Sequence, residues 1–288
     1  MDLKKDITVG LKGFGMGAAN VVPGVSGGTI ALLTGIYKEI VDVLSSLTAK
    51  DTWKSLFKGD FKKFWSLVHG RFLVALFVGV ILSILTLAKF ITDVALSQYP
   101  VATWAFFFGL IVCSTVFMLK EIKGWKVLDA LWIAIGIGMG LAVSLLTPSQ
   151  TPDSLPFIFF CGAVSICTMI LPGISGSFVL QIMGKYEYIM SAITIGQFNW
   201  PVVIAFGLGC IVGILAFARL LKWLLARAEK QTLLVLIGFV MGSLLKIWPW
   251  NNVPASSDPH VLQAVIWGLA GVALVLVLEL LGSRKSKA

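Results

Sequence analysis

The chain has 288 residues, 58% of them apolar and 13% charged, with a net charge of +9. A soluble domain of this length needs far more charge to cover its surface, and a mean hydropathy of +0.94 excludes one. The basic residues sit in a few short loops and not along one face, so they report membrane topology and exclude a nucleic-acid surface.

In chain order, the N-terminal MDLKKDITVGLKGFGMGAAN carries early lysines like a signal peptide. Gly10, Lys12, Gly13, Gly15 and Gly17 break its apolar region, which argues against that reading. A hairpin is predicted over 7–47, with the stretch VVPGVSGGTIALLTGIY at its centre. The following 48–70 segment spaces Trp53, Phe57, Phe61, Phe64 and Trp65 at roughly helical intervals with lysines between, as in a basic helix lying on headgroups. Apolar runs follow at 71–93, 100–119 and 127–147. A second hairpin is predicted over 157–195, around ILPGISGSFVLQIMGKY, and then runs at 200–222, 231–248 and 261–282. Each of the six runs can cross a hydrocarbon core of ~30 Å as a helix.

Lysine and arginine cluster at the N-terminus (Lys4, Lys5, Lys12), over 50–71, over 120–126, from Arg219 to Lys230 and in the tail from Arg284 to Lys287. The loops at 94–99, 148–156, 196–201 and 249–260 have none. The first set is expected inside and the second outside, with both termini cytoplasmic. Each hairpin segment begins and ends on the same side, so it crosses an even number of times, twice or not at all. The arm from Thr8 to Val22 has 15 residues, about 22 Å of helix. That is short for a full span and favours re-entrant hairpins with tips near mid-membrane.

The two hairpins align without gaps at an offset of 149 residues, from Gly13–Ile40 to Gly162–Ile189. Pro23/Pro172, Gly24/Gly173, Ser26/Ser175, Gly27/Gly176, Gly35/Gly184 and Tyr37/Tyr186 are identities. A weaker match pairs Gly109 with Gly238 and Ser114 with Ser243. The fold class expected is an all-α polytopic membrane protein in one integral domain. It is built from an inverted repeat, repeat one at 7–147 and repeat two at 157–282, each with one hairpin and three spanning helices, as secondary transporters are.

Proline and glycine in hydrocarbon leave backbone groups unpaired, which is tolerated where the segment lines a polar cavity. Proline stops the first arm at Val22 or Leu171, glycine permits reversal, and Ser26 and Ser175 are N-cap candidates for the second arm. A helix N-terminus then points at mid-membrane, where its free N–H groups suit a phosphate or carboxylate. The residues expected to hold that anion are Pro23, Gly24, Ser26, Gly27, Gly28 and Thr29 with Pro172, Gly173, Ser175, Gly176 and Ser177. Asn20, Tyr37, Glu39, Gln181, Lys185, Tyr186 and Glu187 are candidates for the cavity or for coupling. The competing reading is that Gly and Ser merely allow close helix packing, which is the expectation for Gly13-x-Gly15-x-Gly17 and Gly136-x-Gly138-x-Gly140. Cys113, Cys161, Cys167 and Cys210 lie in apolar segments without metal-ligand spacing, so no metal is expected.

GMGAANVVPGVSGGTIALLTGIY together with LPGISGSFVLQIMGKYEYI resembles the polyprenyl-phosphate translocase family, and the similarity extends to FFFGLI and GSLLKIWPW. The resemblance implies a bacterial inner-membrane flippase that returns undecaprenyl phosphate, the lipid carrier of envelope synthesis, from the outer to the inner leaflet. It implies alternating access around a phosphate held by the two tips, and no cofactor is expected. Protons or sodium ions are the candidate coupling ions, with Glu39 and Glu187 as candidate coupling groups, and a homodimer is the candidate assembly. One rival is a transporter of a small soluble anion. Another is a membrane phosphatase acting on polyprenyl pyrophosphate, whose related loop carries an arginine where this chain has Gly27 and Gly176. With that cation absent and no acidic pair inside a span, no catalytic residues are expected.

Overall fold

The computed structural model describes residues 3–22, 25–146, 151–193, 198–251 and 259–285, and among them there are helices and turns but no strand. The first hairpin opens with α1 (Leu3–Val21), which starts in the charged N-terminal turn and has 19 residues, about 28 Å. It is longer than the 15-residue arm expected, because Lys4, Lys5 and Asp6 are helix residues too. Pro23 and Gly24 lie outside the described residues.

The return arm is not one helix. It breaks into α2 (Gly27–Leu33) and α3 (Tyr37–Ser46). Gly35 adopts φ +72°. Its N–H donates to Leu32 O at 3.2 Å and that of Ile36 to Ala31 O at 3.0 Å, the double closure of a Schellman motif. The second hairpin repeats this with α9 (Leu155–Ile170), α10 (Gly176–Ile182) and α11 (Tyr186–Ser191). Gly184 adopts φ +62°, with Gly184 N–H donating to Gln181 O and Lys185 N–H to Leu180 O, both at 2.9 Å. The end expected at 195 lies outside the described residues.

Between the first hairpin and the next long helix, the 48–70 segment forms two helices, α4 (Lys50–Phe57) and α5 (Phe61–Leu67). They are divided by Gly59 at φ +75°, and Asp60 caps α5 by accepting from Lys63 N–H at 3.0 Å. Trp53, Phe57, Phe61 and Trp65 are exposed.

The longer helices are α6 (Gly70–Phe90, continued by a π-helical stretch Ile91–Leu96), α7 (Pro100–Glu121), α8 (Val127–Ser144), α12 (Trp200–Arg227), α13 (Glu229–Ser243) and α14 (Val261–Lys285). Pro100, Pro156 and Pro201 stand in the first turns of α7, α9 and α12, where a missing N–H costs nothing. Among the described residues, α6 with its extension, α7, α8 and α12 are long and apolar enough to cross a membrane. The run expected at 231–248 is cut short. Helix α13 has 15 residues and ends at Ser243. Beyond it, Lys246 N–H bonds Ser243 O and Ile247 N–H bonds Leu244 O, successive tight turns that spend the apolar sequence on a corner.

Two compact units are distinguished, residues 1–83 with 146–229 and residues 84–145 with 230–288. In the first, α1 packs on α6 through glycine. A Cβ on Gly13 would stand 2.3 Å from Leu76 O and one on Gly17 2.7 Å from Val80 O. Likewise α9 packs on α12, where a Cβ on Gly162, the match of Gly13, would stand 2.2 Å from Phe206 O. Helix α3 is tied to α12 by Arg219, which donates to Thr48 Oγ1 at 2.9 Å and Thr48 O at 2.7 Å, and by Lys222–Asp42 at 3.1 Å. Lys38 also pairs with Glu229.

In the second unit, α7 packs on α14 and α8 on α13, again with glycine at the contact. A Cβ on Gly109 would meet Gly268 O at 2.1 Å, and one on its match Gly238 would meet Ile133 O at 2.3 Å. Gly136 and Gly140 face α13, whereas Gly138 faces open space, so the expected glycine stripe has two packing members and one bystander.

Candidate functional site

Each hairpin tip is set by the serine before its short second helix. Ser26 has extended backbone, and its Oγ accepts from Gly28 N–H at 3.1 Å; Ser175 accepts from Phe178 N–H at 3.2 Å. Both act as N-caps, because the hydroxyl replaces the missing intrahelical acceptor of the first turn. The first arms end at Val21 and Ile170, one residue short of the limits set by proline.

The two tips touch each other. Gly173 N–H donates to Thr29 Oγ1 at 2.7 Å, and Ser26 Oγ donates to Leu171 O at 3.2 Å. Gly28 is where the backbones come closest. A Cβ there would lie 2.8 Å from Ile170 O and 3.2 Å from both Leu171 O and Met169 O. The beginning of α2 therefore sits on the carbonyl end of α9, with opposite partial charges in contact. Gly173 makes the reversal at φ +96°, a conformation that favours glycine. Ser26, Thr29, Pro172 and Ser175 are buried. Gly27, Gly28 and Gly176 are buried as well.

The expectation of two free helix N-termini needs correction for α2. Asn20 Oδ1 already accepts Gly27 N–H at 2.7 Å, Ser26 Oγ accepts Gly28 N–H, and Ser26 O accepts Thr29 N–H at 3.0 Å. The sequence marks Asn20 as a candidate for the cavity or for coupling and does not reveal that its amide seals the tip. In the second hairpin the residue matched to Asn20 is Met169, which cannot do this. There the N–H groups of Gly176 and Ser177 have no acceptor among the described residues. Ser177 and Gln181, four apart on α10, are exposed, and so is Asn20. Ser177 Oγ lies 3.0 Å from Ser175 Oγ. Packing and polarity thus coexist at the tips: α2 is sealed, and α10 offers hydroxyl, amide and N–H groups.

The outlying candidates separate. Tyr37 is 2% exposed, and its hydroxyl has no partner among the described residues. Tyr186 packs in the apolar cluster around Ile158 and Val202. Glu39 lies 3.7 Å from His69 Nδ1, and Glu187 is exposed. Lys185 is 5% exposed and donates to Asp153 Oδ1 and to Thr151 O, both at 2.6 Å. Thr151 Oγ1 in turn donates to Met183 O at 2.5 Å, the C-cap carbonyl of α10. At the matched place in the first hairpin, Lys12 Nζ donates to Thr34 O, the C-cap carbonyl of α2, at 2.5 Å. Lys12, Thr151 and Asp153 escaped sequence reading, since a lysine among glycines signals topology and a loop Thr-x-Asp signals nothing.

A family model described as VCA0040-like, undecaprenyl phosphate translocase-like, matches residues 16–265. A polyprenyl-phosphate transporter of Vibrio cholerae serotype O1 is 38% identical, over 93% of this chain and 94% of the relative. A polyprenyl-phosphate transporter of Staphylococcus aureus is 31% identical, over 83% of this chain and 85% of the relative. No solved structure matches.

Proposed function

The chain belongs to the undecaprenyl phosphate translocase-like family of transporters, and from that premise we propose that it carries polyprenyl phosphate, specifically undecaprenyl phosphate, from the outer to the inner leaflet of the bacterial cytoplasmic membrane. The observation that carries the reading is the contact between the two tips, Gly173 N–H on Thr29 Oγ1 and Ser26 Oγ on Leu171 O. It brings two proline- and glycine-broken, hydroxyl-rich segments to one place in apolar sequence, where uncompensated polar groups are costly.

The lipid's isoprenoid tail stays in hydrocarbon throughout, so the protein has only the headgroup to shelter. Ser177, Gln181 and the N–H groups of Gly176 and Ser177 receive phosphate oxygens from one side. Asn20 releases Gly27 N–H and adds its own amide from the other. The hairpins form an inverted pair, and their rocking opens the tips alternately to each leaflet. The termini and the Lys-rich α4–α5 segment lie on the cytoplasmic side, with Trp53, Phe57, Phe61 and Trp65 in the headgroup layer.

The test is reconstitution into liposomes with a fluorescent C55 polyprenyl phosphate, scoring leaflet exchange. Release of inorganic phosphate from the pyrophosphate form is followed in parallel. Exchange without phosphate release is expected. A failure of exchange in vesicles that take up inorganic phosphate would move the substrate to a small soluble anion.

A further inference from the structure

A phosphomonoester carries about −1.5 to −2 charges at neutral pH, and the donors offered at the tips by Asn20, Gly176, Ser177 and Gln181 are neutral. A dianion in apolar surroundings needs a positive charge within reach. The described helices α2, α9 and α10 contain no lysine or arginine, and α1 contains Lys4, Lys5 and Lys12. Lys4 and Lys5 are exposed in its first turn, whereas Lys12 is only partly exposed and stands eight residues before Asn20, about 12 Å along the helix. The i, i+4, i+8 series Lys12, Met16, Asn20 lies within one stripe of α1.

The ammonium of Lys12 rests on Thr34 O, a carbonyl, and no carboxylate lies within ion-pair distance of it among the described residues. Glu39 acts on it through space but is itself turned toward His69. The second hairpin contrasts with this. Its position matched to Lys12 is Cys161, and its buried cation, Lys185, is cancelled by Asp153 at 2.6 Å. Among the described residues, the lysine at one end of the paired hairpins therefore has no carboxylate in contact, and the lysine at the other end has one.

Resting on the function proposed above, we propose that Lys12 is a second phosphate-binding station, at the far end of α2 from the tips, which takes the lipid headgroup as it leaves Ser177, Gln181 and Asn20. Ser26 and Thr34 are eight residues apart, about 12 Å, so the tip and the lysine hold the headgroup in turn. Exchanging a neutral carbonyl for a charged phosphate oxygen strengthens the ammonium's hydrogen bond, which gives the headgroup a reason to move on.

The competing role for Lys12 is to cap the C-terminus of α2. Lys12→Gln separates the two, since a carboxamide still donates to Thr34 O but carries no charge, and Lys12→Arg keeps the charge. Exchange of fluorescent C55 polyprenyl phosphate in proteoliposomes is measured against lipid concentration, with melting temperature in detergent as the fold control. Lys12→Gln is expected to melt with wild type while its half-saturating concentration rises about tenfold, the worth of one charge-assisted bond; Lys12→Arg stays near wild type. Should Lys12→Gln not fold, Lys12→Cys treated with an aminoethyl thiosulfonate regains exchange and the same variant treated with a methyl reagent does not, with treated wild type as control for the native cysteines. Lys12→Gln with wild-type kinetics, or equal rescue by both reagents, overturns the station alone. Wild-type protein that moves no lipid overturns the proposed function beneath it.

Discussion

Gly173 donates its backbone N–H to the hydroxyl of Thr29, 144 residues earlier, at 2.7 Å, and both residues are buried. This bond closes one hairpin tip on the other. It costs little to form and much to lose, since a buried N–H without an acceptor forfeits its solvation. Thr29→Val keeps the shape and removes the acceptor. It should lower stability by about 1–3 kcal/mol, read as a fall in melting temperature, while Thr29→Ser should recover most of it. Equal melting of Thr29→Val and wild type would mean the contact does not hold the tips together.

The glycine contacts predict a sharp contrast within one run of sequence. Gly136→Ala and Gly140→Ala place a methyl 2.2 Å from Val235 O and 2.4 Å from Phe239 O, so α8 must move off α13. Gly138→Ala meets nothing within 4 Å and improves helix propensity. The first two should lose folded protein on extraction and size-exclusion chromatography, and the third should gain slightly in melting temperature.

Tyr37 buries a hydroxyl without a partner among the described residues. Removing an unsatisfied polar atom relieves a cost and creates almost no cavity. Tyr37→Phe should therefore melt at or above the wild-type temperature. A fall of several degrees would place an acceptor on that hydroxyl.

Lys185 and Asp153 differ in burial, with side-chain exposures of 6% and 61%. Neutralising the exposed partner leaves the buried ammonium on Thr151 O without a counter-charge, whereas replacing the buried one by an apolar chain leaves only a solvated carboxylate. Asp153→Asn should destabilise more than Lys185→Met, and the order of the two melting temperatures checks it.

Much of the hairpin architecture was legible in the sequence because its signals are local. A serine ahead of an apolar run caps a helix at Ser26 and Ser175, and α9 ends just ahead of Pro172. Gly35 and Gly184 were visible as matched glycines but not as helix ends, since the apolar pattern runs through them and the Schellman closure is made by backbone atoms. The end of α13 was hidden for a related reason: Leu244, Leu245, Ile247 and Trp248 keep the segment apolar while the chain turns. The sealing of α2 by Asn20 and the meeting of Thr29 with Gly173 depend on three-dimensional approach. No spacing rule reports such an approach. Lys12 was read as a topology charge because its acceptor, Thr34 O, is a main-chain atom 22 residues away.

The central claim is that the headgroup passes through the joined tips. The most direct measurement is leaflet exchange of C55 polyprenyl phosphate by the double variant Ser177→Ala, Gln181→Ala, reconstituted at the same protein density as wild type and shown to be folded by its elution profile. Both side chains are exposed on α10, so their loss costs little stability and a folded transporter can survive it. The account predicts normal insertion with exchange reduced to the level of protein-free vesicles. Exchange at the wild-type rate would contradict it and leave the tips as packing alone.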